Sequence, residues 1–155
     1  MPASYKFTPP GAGVSYDWSN DNIFVKVDTE DSDGAYTIVE DNLKASFALG
    51  LHMHRNHAET FYILEGSVDF YVDDQWIKAE KGACLHVPAG IPHAAKVTDG
   101  QESARMLMVF QPAGFDGFLK EMAGFSEADF ADEARMAALN EQYDIVPLGP
   151  VPESS

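Results

Sequence analysis

Three histidines and one glutamate in this chain have the residue types and the spacing of a transition-metal site. His52 and His54 are separated by one residue in a strand-like stretch. Because side chains of a strand alternate between its two faces, both imidazoles point the same way. Residues 55–58 are polar or small and suit a hairpin turn. The returning run is aromatic and β-branched, so the turn is expected to bring the carboxylate of Glu59 beside the imidazoles.

The fourth candidate ligand, His93, follows a stretch with turn chemistry. Gly82 opens a short apolar run that ends at Pro88-Ala89-Gly90, where proline fixes φ and glycine permits a positive φ. Pro92 directly precedes His93, and a histidine after such a rigid loop can be held in one direction, as a metal site requires. Imidazole and carboxylate ligands suit divalent Fe, Mn, Co, Ni, Cu or Zn alike. We therefore predict one divalent transition metal ion, with its identity left open.

The two other histidines and the cysteine have simpler interpretations. His57 lies in the proposed turn, out of phase with His54, and is predicted to be exposed or to contact the ligands from behind. His86 lies before Pro88 on a strand and is predicted to be a structural or surface residue. Cys84 is a small thiol with apolar neighbours, so an inert core cysteine is expected.

Two stretches of the chain resemble the paired sequence motifs of the cupin superfamily. The first motif has the pattern His-x-His, four residues, Glu, six residues, Gly, and is present as His52, His54, Glu59 and Gly66. The second has the pattern Gly, five residues, Pro-x-Gly, two residues, His, and is present as Gly82, Pro88, Gly90 and His93. The chain departs from the family pattern at Ser46 and Val97, where glycine and asparagine are expected. Neither position is a ligand in that pattern, so the resemblance still implies the four-residue metal site.

The resemblance implies a fold and a range of functions. The fold is an all-β double-stranded β-helix, the jelly-roll barrel of cupins, here with a short C-terminal helical extension. The superfamily includes dioxygenases, isomerases, lyases, epimerases, storage proteins and sensors, so the motifs do not fix the reaction. A looser resemblance, to small bacterial cupins that are quercetin 2,3-dioxygenase-like, implies oxidative cleavage of an aromatic or flavonol-like small molecule, with Glu59 as a candidate base. An isomerase or lyase, and a non-catalytic cupin that binds a small ligand or a metal, stay open as alternatives.

The distribution of short strands and turn signals also favours a sandwich or barrel. Strands are predicted near 23–27, 35–40, 45–54, 59–64, 67–72, 76–79, 83–87, 93–97 and 104–111, with Asp73-Asp74 as a hairpin turn. We predict a single domain with an irregular arm over 1–22, a barrel over 23–112 and a helical, then extended, tail over 113–155. In the tail, a helix is predicted over 115–123, and a capping box at Ser126 begins a second helix that ends near Tyr143. An apolar side of this helix, formed by Phe130, Ala134, Ala137 and Ala138, is expected to pack on the barrel.

Alternation along the strands predicts which residues line the pocket beside the metal. If His52 and His54 face inward, so do Ala48 and Gly50, whose small size leaves room for a ligand. Glu59, Phe61 and Ile63 share the inner face of the next strand and add an apolar wall, although Ile63 is better explained as core. The opposite parity places Phe47, Leu49, Leu51, Tyr62 and Leu64 outward. An apolar outer face needs a cover, and the arm, the tail or a second subunit could supply it; a homodimer is predicted.

Composition and charge limit the partners. The chain has 155 residues and a net charge of −15, which repels nucleic acid and anionic membrane surfaces. We therefore expect a small-molecule substrate or ligand, no nucleic-acid partner and no membrane partner. The single cysteine excludes an intrachain disulfide and fits a reducing compartment. With no signal-like pattern at the N-terminus and no apolar run long enough to span a bilayer, a cytoplasmic location is expected.

Overall fold

The computed structural model describes residues 4–153. Its strands are β1 (Val14–Asp17), β2 (Asp21–Val27), β3 (Thr37–Lys44), β4 (Ala48–Met53), β5 (Ala58–Glu65), β6 (Ser67–Val72), β7 (Gln75–Glu80), β8 (Cys84–Val87), β9 (His93–Val97), β10 (Ser103–Gln111) and β11 (Val146–Gly149). Its helices are α1 (Phe115–Ala123), α2 (Glu127–Ala131) and α3 (Glu133–Gln142). The predicted strands are all present, with ends that differ by a few residues.

The strands form two antiparallel sheets with the crossing connections of a jelly roll. One sheet has six strands in the order β1-β2-β3-β10-β5-β8, and the other has five in the order β11-β4-β9-β6-β7. Strands distant in sequence, such as β3 and β10, are neighbours in the same sheet. The predicted fold class, an all-β jelly-roll barrel with a short C-terminal helical extension, is confirmed.

The core lies between the two sheets. β3 and β10 alternate buried and less buried residues along their length, as expected for strands with one face in the core. Phe61 on β5 meets Phe70 on β6 of the other sheet, with ring centroids 4.8 Å apart. At the turn between β6 and β7, Asp73 and Asp74 both have positive φ, 51° and 61°. Such backbone angles belong to the tight hairpin turns that Asp tolerates.

A β-bulge in β4 changes which side chains face the core. Pairing with β9 matches Leu49 to Ala95 and His52 to His93, so β4 carries one extra residue between the two pairs. An extra residue reverses the facing of the side chains on its far side. The prediction that Phe47 and Leu49 point outward is therefore wrong, because Phe47 is buried in the core cluster and Leu49 packs against it.

The predicted irregular arm contains regular structure. β1 pairs with β2 from Val14 opposite Val25 to Asp17 opposite Asn22, and β2 begins two residues earlier than predicted. The backbone N–H of Trp18 donates to the carbonyl of Asp21 at 2.8 Å and closes the turn between the strands. The arm thus adds one strand, β1, to the edge of the larger sheet and supplies the first two residues of β2.

The helical tail follows the prediction at its beginning and departs from it later. α1 occupies the predicted range, and the capping box at Ser126 is formed with Asp129. The predicted single helix up to Tyr143 is divided into α2 and α3, because Asp132 leaves the helical conformation with ψ 104°. Its carboxylate then accepts from two backbone N–H groups and caps α3.

The end of the tail returns to the barrel. α3 buries Leu139, whereas Phe130 on α2 is 42% exposed, so the predicted apolar side centred on Phe130 is wrong. β11 then pairs with β4 and places Pro147 opposite His52. Among residues 4–153, no helix is both long enough and apolar enough to cross a membrane.

Candidate metal centre

The four predicted ligands converge at one end of the barrel. His52 lies near the end of β4, Glu59 near the start of β5 and His93 at the start of β9, while His54 follows β4 directly. All four side chains are buried, and one ligand atom from each lies within 4.8 Å of the others. The spacing of the first motif works because the chain turns between β4 and β5 and returns Glu59 to the histidines.

Each histidine ring is oriented by a hydrogen bond from Nδ1 to a backbone carbonyl, which leaves Nε2 to face the centre. Nδ1 of His52 and Nδ1 of His93 each bond to the carbonyl two residues earlier, at 2.7 and 2.9 Å. Nδ1 of His54 bonds to the carbonyl of Asp144 at 2.9 Å. A carbonyl can only accept, so Nδ1 carries the proton in each ring. In a neutral ring the Nε2 lone pair is then available to a metal.

Buried charge dominates the electrostatics of the centre. Burial lowers the pKa of His52 to about 4, so this ring is neutral at neutral pH. Burial alone would raise the pKa of Glu59, but its contacts with Nε2 of His54 and Nε2 of His93, at 3.2 and 3.3 Å, lower it to about 2. Burial also opposes a charge on His54, and the bond to Glu59 outweighs it and raises the pKa of His54.

This donor set fits a divalent transition metal ion. Three imidazoles oriented by backbone carbonyls and one ionised carboxylate are ligands that Fe, Mn, Co, Ni, Cu and Zn accept. The negative charge of Glu59 is buried and needs a positive neighbour. A bound cation would supply that charge, and an imidazole must be free of a proton at the nitrogen that binds the ion.

A cavity of about 460 Å³ adjoins the centre, and its lining includes His52, His54 and Glu59. Of the predicted pocket residues, Ala48 and Gly50 line it, while Phe61 and Ile63 do not. These two side chains are 1% exposed within the core, because the inner face of β5 beyond Glu59 packs against the opposite sheet. The apolar wall comes instead from residues of β10 and α1, which the alternation of side chains around the histidines could not predict. These residues are Met106, Met108, Phe110, Phe115, Phe118 and Leu119.

A comparison with protein families agrees with this fold and site. The family model described as "Cupin domain" matches residues 42–110, the segment that holds all four candidate ligands. Residues 42–110 are a cupin domain. The β1–β2 hairpin, the three helices and β11 lie outside the matched segment.

Among curated proteins, the cupin is similar to quercetin 2,3-dioxygenase from Bacillus subtilis (strain 168). The two are 30% identical over 93 residues, which is 60% of this chain and 27% of the relative. The chain thus spans about a quarter of the length of the relative it matches.

Solved structures share the fold at low sequence identity. KdgF from Halomonas sp. superposes with a TM-score of 0.65 at 14% identity, covering 74% of this chain and 99% of that chain. An RmlC-like cupin from Shewanella frigidimarina superposes with a TM-score of 0.62 at 19% identity, covering 76% and 99%. A Streptomyces protein described as a nucleoside dehydratase superposes with a TM-score of 0.60 at 14% identity, covering 96% of this chain and 94% of that chain. These similarities establish the architecture.

Asp144 supports the metal centre, and no sequence motif pointed to it. It lies between α3 and β11 with φ 60°, and its carbonyl accepts from Nδ1 of His54. Its carboxylate accepts from the backbone N–H groups of Arg55 and Asn56, at 2.8 and 2.7 Å, and from Nδ1 of His57 at 2.9 Å. These three donors hold the pKa of Asp144 below its usual value despite partial burial. The tail therefore fixes both the turn between the ligands and the orientation of His54.

The two other histidines and the cysteine are not among the candidate ligands in the structure. The ring of His57 stacks on His54, with centroids 4.0 Å apart, and so contacts a ligand from behind, one of the two predicted options. His86 bonds to the hydroxyl of Thr60 at 2.8 Å on the outer side of the sheet, away from the centre. Cys84 is exposed, so its expected core position is wrong; the short strand β8 at the sheet edge leaves it uncovered.

Proposed function

We propose that this cupin is a metal-dependent enzyme that acts on a small organic molecule, with a quercetinase-like dioxygenation as its reaction. The observation that carries the proposal is the position of four buried ligand side chains against a largely apolar cavity of about 460 Å³. A cavity with apolar walls and a few convergent polar groups is the usual form of a small-molecule site. The similarity to quercetin 2,3-dioxygenase supports the choice of reaction.

In this proposal the protein holds the ion and shapes the substrate's surroundings. His52, His54, His93 and Glu59 would hold the metal, which when bound supplies Lewis-acid or redox chemistry. The apolar side chains of Met108 and Phe110 line the cavity and would exclude water from the bound substrate.

Glu59 is proposed to act as a base as well as a ligand. It is buried and ionised, and it is the carboxylate of the ligand set, so a substrate hydroxyl group bound beside it could transfer a proton to its oxygen. Its low pKa makes it a weak base, which favours substrates whose hydroxyl group is acidified before the transfer. Flavonol and catechol hydroxyl groups bound at a metal meet this requirement.

The first experiment combines metal content with oxygen consumption. Protein purified without a metal-chelating step is analysed for metal and then assayed for O₂ uptake with flavonols, catechols and keto-acids. Stoichiometric metal and substrate-dependent O₂ uptake are expected, with uptake lost in Glu59→Gln. Glu80→Gln is the matched control, because the side chain of Glu80 is 74% exposed. Full activity of Glu59→Gln would rule out its role as base, and absence of metal after reconstitution would rule out the proposed centre.

A lyase or isomerase is the second candidate reaction. It is favoured by the structural similarity to a nucleoside dehydratase, which covers nearly the whole chain. Bound metal with product formation but no O₂ uptake would select it. Bound metal with no turnover on either substrate class would instead favour a non-catalytic cupin that binds a metal or small ligand.

We also propose a homodimer, formed through the outer face of the larger sheet. Tyr62 on the interior strand β5 is 43% exposed, and a symmetric partner would cover it. Sedimentation velocity should show a dimer that Tyr62→Glu shifts toward monomer. A wild-type monomer at micromolar concentration would contradict the proposal.

A further inference from the structure

Two aspartates lie next to each other in the cavity wall, apart from the metal ligands. Asp21 is on β2 and Asp41 on the neighbouring strand β3, where Ile23 is paired with Asp41 and Asp21 with Leu43. Diagonal neighbours of this kind face the same side of a sheet. Both aspartates line the cavity, and Asp41 is only 2% exposed.

Asp41 is the protonated member of this pair at neutral pH. Oδ1 of Asp41 is buried, and no N–H or O–H group within residues 4–153 donates to it. Burial and the adjacent Asp21 raise the pKa of Asp41 to about 9, with a smaller contribution from the charge of Glu59. Burial also raises the pKa of Asp21, which faces Asp17 and Lys44 as well. At neutral pH Asp41 is therefore protonated beside the half-buried Asp21, because ionisation of one carboxyl group opposes that of its neighbour.

An unpaired hydrogen-bond donor lies in the same region. Nε1 of Trp18 is buried without an acceptor within the described residues, Trp18 lines the cavity, and its backbone N–H is bonded to Asp21. A buried donor or acceptor without a partner destabilises the protein unless a ligand or water satisfies it. A hydroxyl group can accept from an indole N–H and donate to a carboxyl oxygen at once, whereas an ammonium group can only donate.

The cavity wall between this region and the metal centre is apolar. On β10, Met106 is paired with Asp41, and Phe110 is paired with Glu59. Met108 lies between them on the same strand face, and all three side chains line the cavity. The cavity thus presents polar groups at two separated places with an apolar surface between them.

We propose that Asp21, Asp41 and Trp18 bind a hydroxyl group of the substrate, whose opposite end reaches the metal centre. The ligand class is a small molecule with a metal-binding oxygen at one end, an apolar or aromatic middle and a hydroxyl group at the far end. This inference rests on the proposed function in one respect: it requires that the metal centre binds a small organic molecule.

The test uses catechols as probes, because the catechol group can bind the metal while a tail reaches along the cavity. Each catechol carries an alkyl tail of a defined length, ending either in a hydroxyl group or in an isosteric methyl group. Calorimetry measures binding to metal-loaded protein whose metal content has been verified. At the tail length that fits, the hydroxyl-ended probe should bind roughly 10- to 100-fold more tightly, because the methyl-ended probe leaves the buried groups of Trp18 and Asp41 without a hydrogen-bond partner.

Variants then assign the preference to the named residues. Asp41→Leu removes the acceptor with a side chain of similar size, and Trp18→Phe removes only the donor while keeping the aromatic stack on Tyr16. The two variants should each lower the preference for the hydroxyl-ended probe and leave the affinity of the methyl-ended probe unchanged. Asp17→Asn is the control, because Asp17 lies nearby on β1 with its side chain 72% exposed and outside the cavity lining. If Asp41→Leu fails to fold, Trp18→Phe alone decides.

The possible failures are distinguishable. Equal affinity of hydroxyl- and methyl-ended probes at every tail length overturns the inference and leaves the metal centre standing. A preference that survives both variants also overturns it, since the hydroxyl group is then bound elsewhere. Protein that takes up no metal contradicts the proposed function itself, and metal-loaded protein that binds neither probe series overturns the inference for this ligand class.

Discussion

Replacing Asp144 should weaken both the turn between the ligands and the hold on a metal ion. Its carboxylate accepts three hydrogen bonds, from Arg55, Asn56 and His57. A bond to a charged group contributes about 1.5–3 kcal/mol, but the two backbone donors are exposed and become hydrated when the carboxylate is lost, so about 1 kcal/mol per bond applies here. Asp144→Ala should then lower the free energy of unfolding by about 3 kcal/mol. The backbone carbonyl that accepts from His54 remains but is no longer held by the carboxylate, so metal affinity should also fall, by up to the roughly 10- to 100-fold that accompanies loss of an outer contact to a ligand.

Two measurements separate these effects. Urea unfolding of the metal-free protein gives the stability change, and competition with a chelator for Co²⁺ or Zn²⁺ gives the affinity. Asp144→Asn should be milder, because asparagine tolerates the φ of 60° and retains one acceptor oxygen. Asp132→Ala is the matched control: it removes the cap of α3 at a cost of about 1 kcal/mol and should leave metal affinity unchanged. If Asp144→Ala bound metal as tightly as wild type, the supporting role assigned to this residue would be refuted.

Three further predictions concern the ligands, the barrel and the acid pair. His93→Ala should lower metal affinity by more than the roughly 10- to 100-fold expected for an outer contact, measured by the same competition. Gly66→Ala should lower stability by about 3 kcal/mol in urea unfolding, because φ is +71° and the added Cβ would lie 2.7 Å from a backbone carbonyl oxygen. Because the pKa of Asp41 is raised to about 9, the native state holds a proton that the unfolded chain releases above about pH 4. This contribution to the free energy of unfolding is full below about pH 4 and is lost as the pH rises through 9. Asp41→Asn should reduce the dependence of the free energy of unfolding on pH over this range.

Each of these has an outcome that contradicts it. Metal uptake by His93→Ala equal to wild type would remove this histidine from the ligand set. Gly100→Ala is the control for the barrel, because Gly100 also has a positive φ, 87°, but open space around it; equal losses in both variants would exclude the close contact at Gly66 as the cause. An unchanged pH slope in Asp41→Asn would show that Asp41 does not hold the proton.

The convergence of the candidate metal ligands could be predicted from the sequence because much of their geometry is local. One residue between His52 and His54, and a short turn before Glu59, bring three candidate ligands close together. The same reasoning failed for Phe47 and Leu49, since a bulge shifts parity by one residue without a clear signal in residue type. It also placed Phe61 and Ile63 in the pocket, because parity tells which face a side chain takes but not what the opposite sheet presents to it.

Contacts between distant segments could not be predicted. Asp144 is hydrogen-bonded to His54 although it lies 90 residues further along the chain. Asp41 lies beside Asp21 on a neighbouring strand, and the sequence does not reveal that these two strands pair. These three aspartates are among many acidic residues in a chain with a net charge of −15, so residue type alone does not distinguish them. Only the fold separates a carboxylate that is buried beside a cavity from one that faces solvent.

The pairing of β11 with β4 means that the metal centre can be completed only after the C-terminal strand has been synthesised. All four ligands have been synthesised once the ribosome has passed His93, but the acceptor for His54 and the strand beside His52 come from residues 144–149. A nascent chain that lacks them has no acceptor for Nδ1 of His54 and no strand paired beside His52. Metal binding by this centre would therefore be a late event in biosynthesis, and we expect a chain cut short before Asp144 to bind a metal ion more weakly.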